Sequence, residues 1–200
     1  MQKQLKGFWA LFVLAGSFVL GSPLAFCAET YQIDAVHSRI GFAVKHMMVS
    51  TTKGEFTDYQ GTITYDQDDL KASTADIVVK TPSINTRNEK RDEHLKSADF
   101  LEVEKFPEIT FKNVKFVKQG DGIAMTGDLT IKNVTKTTTL FGQVSGPVKS
   151  PMGGTVIGIE ADGAINRQDF GVSFNKQMDN GGLLVDDVVL IQVSIEADKK

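Results

Sequence analysis

The chain has 200 residues, is 41% hydrophobic and 24% charged, and carries a net charge of −3 at neutral pH. That length suggests one domain, and the acidic balance excludes a general nucleic-acid or anionic-membrane binder, although local clusters of cations are compatible with it. Cys27 is the only cysteine, which excludes a disulfide framework.

In chain order, the first 28 residues read as a secretory signal peptide. Lys3 and Lys6 make a positive start, Phe8 to Leu20 is mostly apolar, and Gly21-Ser22-Pro23 breaks the run ahead of the small Ala25 and Ala28. The apolar stretch is too short to span a bilayer comfortably. Cleavage after Cys27 would place Ala25 three residues before the cut, whereas cleavage after Ala28 would place Phe26 there. Acylation of Cys27 is a third reading, opposed by the bulk of Phe26. The expectation is a periplasmic domain over residues 29–200, more acidic once Lys3 and Lys6 are lost, and large enough to stand on its own core.

Strand signals then follow one another. Ile40, Phe42, Val44 and His46 share one face of an alternating run, opposite Gly41, Ala43, Lys45 and Met47. Gly54 to Tyr65 gives a strand pair, and Thr74 to Lys80 another strand. Ile109 to Lys118 leads into the glycine-rich turn Lys118 to Gly122 and a strand through Ile131, a hairpin signal. Lys132-Asn133 turns the chain into Val134 to Gly146, Pro147 to Gly154 is a loop, and Thr155 to Asn166 and Asp187 to Ala197 complete the series. About eight strands separated by turns predict an antiparallel barrel or sandwich. A barrel of that size is filled by its own side chains or holds one small ligand, and periodicity does not choose between the two.

One segment interrupts the strands. Residues 86 to 111 begin almost wholly polar and close on Phe100, Leu101, Val103, Phe106, Ile109 and Phe111. Thr86-x-x-Glu89 reads as a capping box for a helix over Arg87 to Ser97, and Pro107 returns the chain to strand. Such a segment in a strand-rich domain covers something. A polar lid of Arg91, Asp92 and His94, locked by an Arg–Asp pair to the similar turn Asn166 to Gly171, is the arrangement we expect.

No catalytic constellation is legible: there is no thiol nucleophile, G-x-S-x-G elbow or phosphate loop. His37, His46 and His94 lack metal-ligand spacing. His46 continues an apolar face, so it needs a partner, for which Asp34, Asp92 or a carbonyl would serve.

The blocks Ile33-Asp34-x-x-His37-Ser38-x-Ile40-x-Phe42-x-Val44-x-His46, Gly54-x-Phe56, Arg91-Asp92-Glu93-His94-Leu95, Phe106-Pro107 and Asn166-Arg167-x-Asp169-Phe170-Gly171 stand together in one order. From Tyr31 onward the chain closely resembles the YceI-like family of exported bacterial polyisoprenoid-binding proteins. Lys132-Asn133 departs from it, where a basic residue and glycine are common. The resemblance implies an extended lipocalin-like antiparallel β-barrel with an apolar tunnel, periplasmic residence, and a polyprenyl phosphate or isoprenoid quinone as ligand rather than a cofactor. On that reading Phe42, Val44, Phe56, Ile63, Phe111 and Leu129 line the tunnel, and His46, Arg91, Asp92 and Arg167 form its mouth or brace it. The protein is then a carrier and not an enzyme, with no metal. A homodimer and transient contact with a membrane or membrane protein stay open. Two alternatives also stand: an enzyme using His46 or His94 as general base with Asp92 as orienter, and a filled barrel acting as a stress-related interaction module.

Overall fold

A computed structural model describes residues 28–151, 153–179 and 181–200. Apart from Ala28, the leader expected over the first 28 residues, with Cys27 and its cleavage point, lies outside the described residues. The strands are β1 (Glu29–His46), β2 (Ser50–Phe56), β3 (Tyr59–Tyr65), β4 (Thr74–Lys80), β5 (Ile84–Asn85), β6 (Glu108–Gln119), β7 (Gly122–Ile131), β8 (Val134–Lys149), β9 (Thr155–Asn166) and β10 (Val185–Lys199), with one helix, α1 (Glu89–Lys96).

Ten segments make an eight-stranded wall. β2 pairs with the second half of β1, Ile40 facing Phe56, and β3 with its first half, Gln32 facing Thr62. The two segments therefore act as one strand, bent at Thr57-Asp58. The Tyr59 hydroxyl donates to the Ser38 carbonyl at 2.5 Å, and Gln32 Nε2 to the Gly61 carbonyl at 2.7 Å, bridging the bend. β4 pairs with β3 and the short β5 with β2, so β4 and β5 also act as one strand. β6 pairs with β4, each strand from β7 on pairs with its predecessor, and β10 returns to β1 to close the antiparallel barrel. That seam runs from Tyr31 opposite Lys199 to His46 opposite Val185. Where it bulges, between Asp34 and Arg39, the Ser38 hydroxyl accepts from Glu196 N at 2.9 Å.

The two expected turns, at Gly120-Asp121 and Lys132-Asn133, are present, with Lys132 taking the left-handed φ of 57°. Its ammonium lies 3.6 Å from Glu102 and 5.7 Å from the Phe106 ring centre, so Lys132 ties this turn to the insertion. The loop expected from Pro147 is shorter, because β8 continues to Lys149 past a bulge between Ser145 and Val148. The last strand starts earlier than expected, at Val185.

One end of the barrel is packed solid. Ile63 and Ile157 are wholly buried there, beside Tyr31 and Phe116. Burial also raises the pKa of all three tyrosines, Tyr31 to about 12, helped by its bond to Glu29 at 2.9 Å, and Tyr59 and Tyr65 in the same direction. A spectrophotometric titration should thus show the native tyrosines ionising above the ordinary value of about 10, and half-ionisation near that value in denaturant. Because the unfolded chain loses these protons first, stability should fall as pH rises from about 10 to 12.

At the other end, Phe100, Leu129, Ile131, Phe170 and Val172 form a second apolar cluster, with Leu95, Leu101 and Phe174 packed against it. The insertion contributes Leu95, Phe100 and Leu101 to this cap, but its helix does not start by the expected capping box. Asn88 is the N-cap, accepting from Arg91 N at 3.0 Å, and Arg87 stands outside the helix at φ 61°. Helix α1 spans only Glu89–Lys96 and buries no residue fully. So short a helix is unstable alone; the packing of Leu95 and the bonds around Thr86 hold it in place.

Candidate functional site: an apolar cavity beneath the insertion

Between the packed end and the cap the barrel encloses a cavity of about 230 Å³. Side chains from every strand of the wall reach it, among them Ile77, Ile109, Met125, Leu140, Ile159 and Ile191, with Leu95, Phe100 and Leu101 above. The alternation of each strand does this locally, since every second residue points inward. Gly54 shows how closely the lining is fitted: a Cβ there would stand 2.4 Å from the Phe42 ring and 2.8 Å from Thr86 Cγ2. Its absence lets Phe42 lie across β2, 5.9 Å from the Phe56 ring centre.

All six residues expected to line a tunnel, Phe42, Val44, Phe56, Ile63, Phe111 and Leu129, face this cavity. Periodicity did not identify Val172, Val185 or Val189, which also face it. Val172 and Val185 flank an irregular segment, where no alternation points the way.

Arg167 and Thr138 are the polar side chains in the lining. The Arg167 guanidinium is 5% exposed and turns its donors to the wall: the carbonyls of Val172 at 2.6 Å, Phe174 at 2.8 Å, Asp186 at 2.9 Å and Val185 at 3.3 Å, and Asp187 Oδ1 at 3.0 Å. Burial lowers its pKa, and Asp187 and Asp186 oppose that. Its hydrogen-bonding capacity is spent on the irregular segment and the start of β10, so it braces the rim and offers nothing to a reacting group.

The rest of the expected mouth is arranged differently. Arg91 donates to Thr86, Nε to Oγ1 at 2.7 Å and a terminal nitrogen to the carbonyl at 2.8 Å, while Asp92 accepts from the Thr86 N–H at 2.9 Å and from its hydroxyl. Both residues therefore lock the start of the insertion. Neither lines the cavity, and the expected Arg–Asp pair to the turn at 166–171 does not form among the described residues. The insertion is joined to the far segment by aromatic contact instead: the His94 ring stands edge-on to Phe100 at 5.0 Å and to Phe174 at 4.9 Å. His94 Nε2 meets Asp99 at 2.9 Å.

His46 is half-buried beyond the last lining residue of β1, and its ring makes no hydrogen bond among the described residues. The partners expected for it are engaged elsewhere, Asp34 by His37 at 2.6 Å and Asp92 by Thr86. That bond to His37 holds the Asp34 carboxyl low and raises the imidazole. Among the described residues, the sole group with metal-ligand proximity is the surface set Asp34, His37 and Glu196, and the three histidines do not gather.

Comparison with known proteins places this geometry. The YceI-like domain matches residues 31–197. Protein YceI of Salmonella newport strain SL254 is 38% identical over 175 residues, covering 86% of this chain and 88% of that protein. The crystal structure of a Campylobacter jejuni YCEI protein superposes with a TM-score of 0.67 at 32% identity, covering 78% of this chain and 90% of that one. Burkholderia cenocepacia BcnA shares the fold at a TM-score of 0.72 and 20% identity, over 82% of this chain and 98% of its own. A structure described as a polyisoprenoid binding domain from Saccharophagus degradans does so at 0.62 and 16% identity, covering 85% of this chain and 98% of that one. The chain belongs to the YceI-like family.

Proposed function

We propose that this protein is a periplasmic carrier, held apart from catalysis, that encloses the chain of an isoprenoid lipid in its barrel. One observation carries the reading: a cavity inside the barrel whose lining is apolar and whose one cation is engaged by the wall. At about 230 Å³ the cavity lies below the roughly 300 Å³ where pockets for compact drug-sized ligands begin, which favours a slender aliphatic chain. The Saccharophagus domain, described as polyisoprenoid binding, has the same fold and supports the class of ligand.

Each buried methylene is worth about 0.8 kcal/mol, so one five-carbon unit contributes on the order of 3–4 kcal/mol before the chain's ordering entropy is counted. A polyprenyl phosphate or an isoprenoid quinone meets this description, with its polar head at the capped end. An enzyme built on His46 or His94 with Asp92 as orienter is disfavoured, because Asp92 is bonded to Thr86 and His94 to Asp99. A wholly filled barrel is disfavoured by the cavity itself.

Mass spectrometry of an organic extract of the purified protein should reveal one long-chain isoprenoid per barrel. Delipidated protein should take the same lipid up again. Absence of both would overturn the reading.

A further inference from the structure

The β1–β2 hairpin turns through Met47-Met48-Val49. Val49 N donates to the His46 carbonyl at 3.2 Å, and Met47 and Met48 hold φ values of 53° and 65°. Those are the two left-handed positions of a type I′ turn, where asparagine and glycine are favoured and an unbranched apolar side chain is not. The side chains contribute little to the interior, since Met47, Met48 and Val49 are 45%, 69% and 83% exposed. A disfavoured backbone thus presents three adjacent apolar side chains to solvent, an arrangement folding alone does not select.

A second loop leans on the first. Met47 N donates to the Leu184 carbonyl at 2.8 Å, and the exposed Leu183 bridges back to Gln177. Together they make an apolar knob at the end of β1 and the start of β10. Val44 and Val185 both line the cavity, and His46 pairs with Val185. Met47 therefore lies about 10 Å past Val44 along the strand, at the rim of the cavity.

The knob is convex and narrow. A stable protein interface needs about 800 Å² from each partner, more than three turn residues and a leucine supply, whereas a small apolar wedge suits the boundary between lipid headgroups and acyl chains. Charge agrees. Lys45 and Lys53 are exposed behind the tip, Lys176 on the neighbouring loop, and none has an ion-pair partner among the described residues. Asp179 is the acidic residue of that loop. Asp187 is held by Arg167 and Gln168, Asp186 accepts from Val188 N, and Glu55 is paired with Arg39. Counting Arg39 and Arg167 with these lysines, five cations stand against four carboxylates, a single positive excess, with the unpaired cations on long side chains able to reach headgroups.

We propose that Met47-Met48-Val49, with Leu183 beside it, is a membrane-docking point that seats the rim of the cavity on an anionic bilayer. The inference rests on the lipid-binding reading above, since a water-insoluble ligand has to pass directly between bilayer and barrel.

Flotation of the mature protein with vesicles of phosphatidylethanolamine and phosphatidylglycerol tests it. The wild type should bind them, more weakly in high salt, and more weakly still on phosphatidylcholine alone. The double variant M47N/M48G should lose about tenfold or more in vesicle partitioning, with a melting temperature equal or higher because Asn-Gly suits the turn. K45Q/K53Q should lose binding to anionic vesicles only. No binding by the wild type, or unchanged binding by M47N/M48G, overturns the proposal. So does a dimer in solution that M47N/M48G dissociates, which would make the knob a subunit contact. Lipid uptake from detergent micelles, measured separately, keeps the two readings apart. Uptake without docking by the wild type overturns the docking point alone. Docking without uptake supports the docking point and overturns the carrier.

Discussion

Replacing Arg167 with methionine should lower the melting temperature by about 10 °C while leaving the bulk of the side chain in place. The guanidinium joins the irregular segment at Val172 and Phe174 to the start of β10 at Val185, Asp186 and Asp187, beyond the reach of the single Gln177–Leu183 bridge. Methionine strands several carbonyls at once, each costing about 1–3 kcal/mol if water does not replace the donor. The Asp187 carboxylate keeps its bond from Gln168 Nε2 at 3.0 Å and some solvent, which limits the total to about 3 kcal/mol. Arg167→Lys should recover little of this, because a compact ammonium cannot reach four carbonyls and a carboxylate in one plane. Hydrogen exchange should quicken first at residues 172–175 and 185–187. A shift under about 2 °C would mean that water bridges these carbonyls and that Arg167 is no brace.

Enlarging Val44 to tryptophan should remove lipid without unfolding the barrel. Val44 faces the cavity and is half-buried, so an indole there enters existing space rather than a packed interior. Blocking room for one five-carbon unit forfeits on the order of 3–4 kcal/mol of burial, more than a hundredfold in affinity. The same change at Ile157, wholly buried at the packed end and outside the lining, should cost about 1–3 kcal/mol of stability or more and spare lipid uptake. Lipid content by mass spectrometry and thermal melts of the two variants should therefore move in opposite patterns. If V44W retained a full complement of lipid, the chain would have to lie elsewhere.

What was legible in the sequence, and what was not, follows from where each interaction writes its signature. Alternation gave Thr74–Lys80 and Thr155–Asn166 to the residue, because one buried face imposes a period of two. The six positions that the family resemblance implied as tunnel lining lie on inward faces of these strands and face the cavity. Capping went to the wrong residue because Thr86 and Asn88 are both competent N-caps two positions apart, and only the surroundings of Thr86, bonded to Arg91 and Asp92, decide it. Arg167 was singled out, yet its role was hidden. Four of its five acceptors are backbone carbonyls, which every residue possesses. The contact of His94 with Phe174 joins residues eighty positions apart across an irregular segment, so no local pattern could announce it.

The seam between β1 and β10 has a consequence for how the barrel comes into being. Every other pairing in the wall spans a few tens of residues and needs only a hairpin, the bend at Thr57-Asp58 or the insertion to form. The seam alone demands that strands more than a hundred residues apart find each other, Tyr31 beside Lys199. Loop closure over such a span is the slow, entropically opposed step of an antiparallel meander. Until it happens the chain is a curved sheet with two bare edges and an apolar face open to water. The enclosed space therefore does not grow by degrees as hairpins accumulate; it arises in one event, when the two ends of the wall meet.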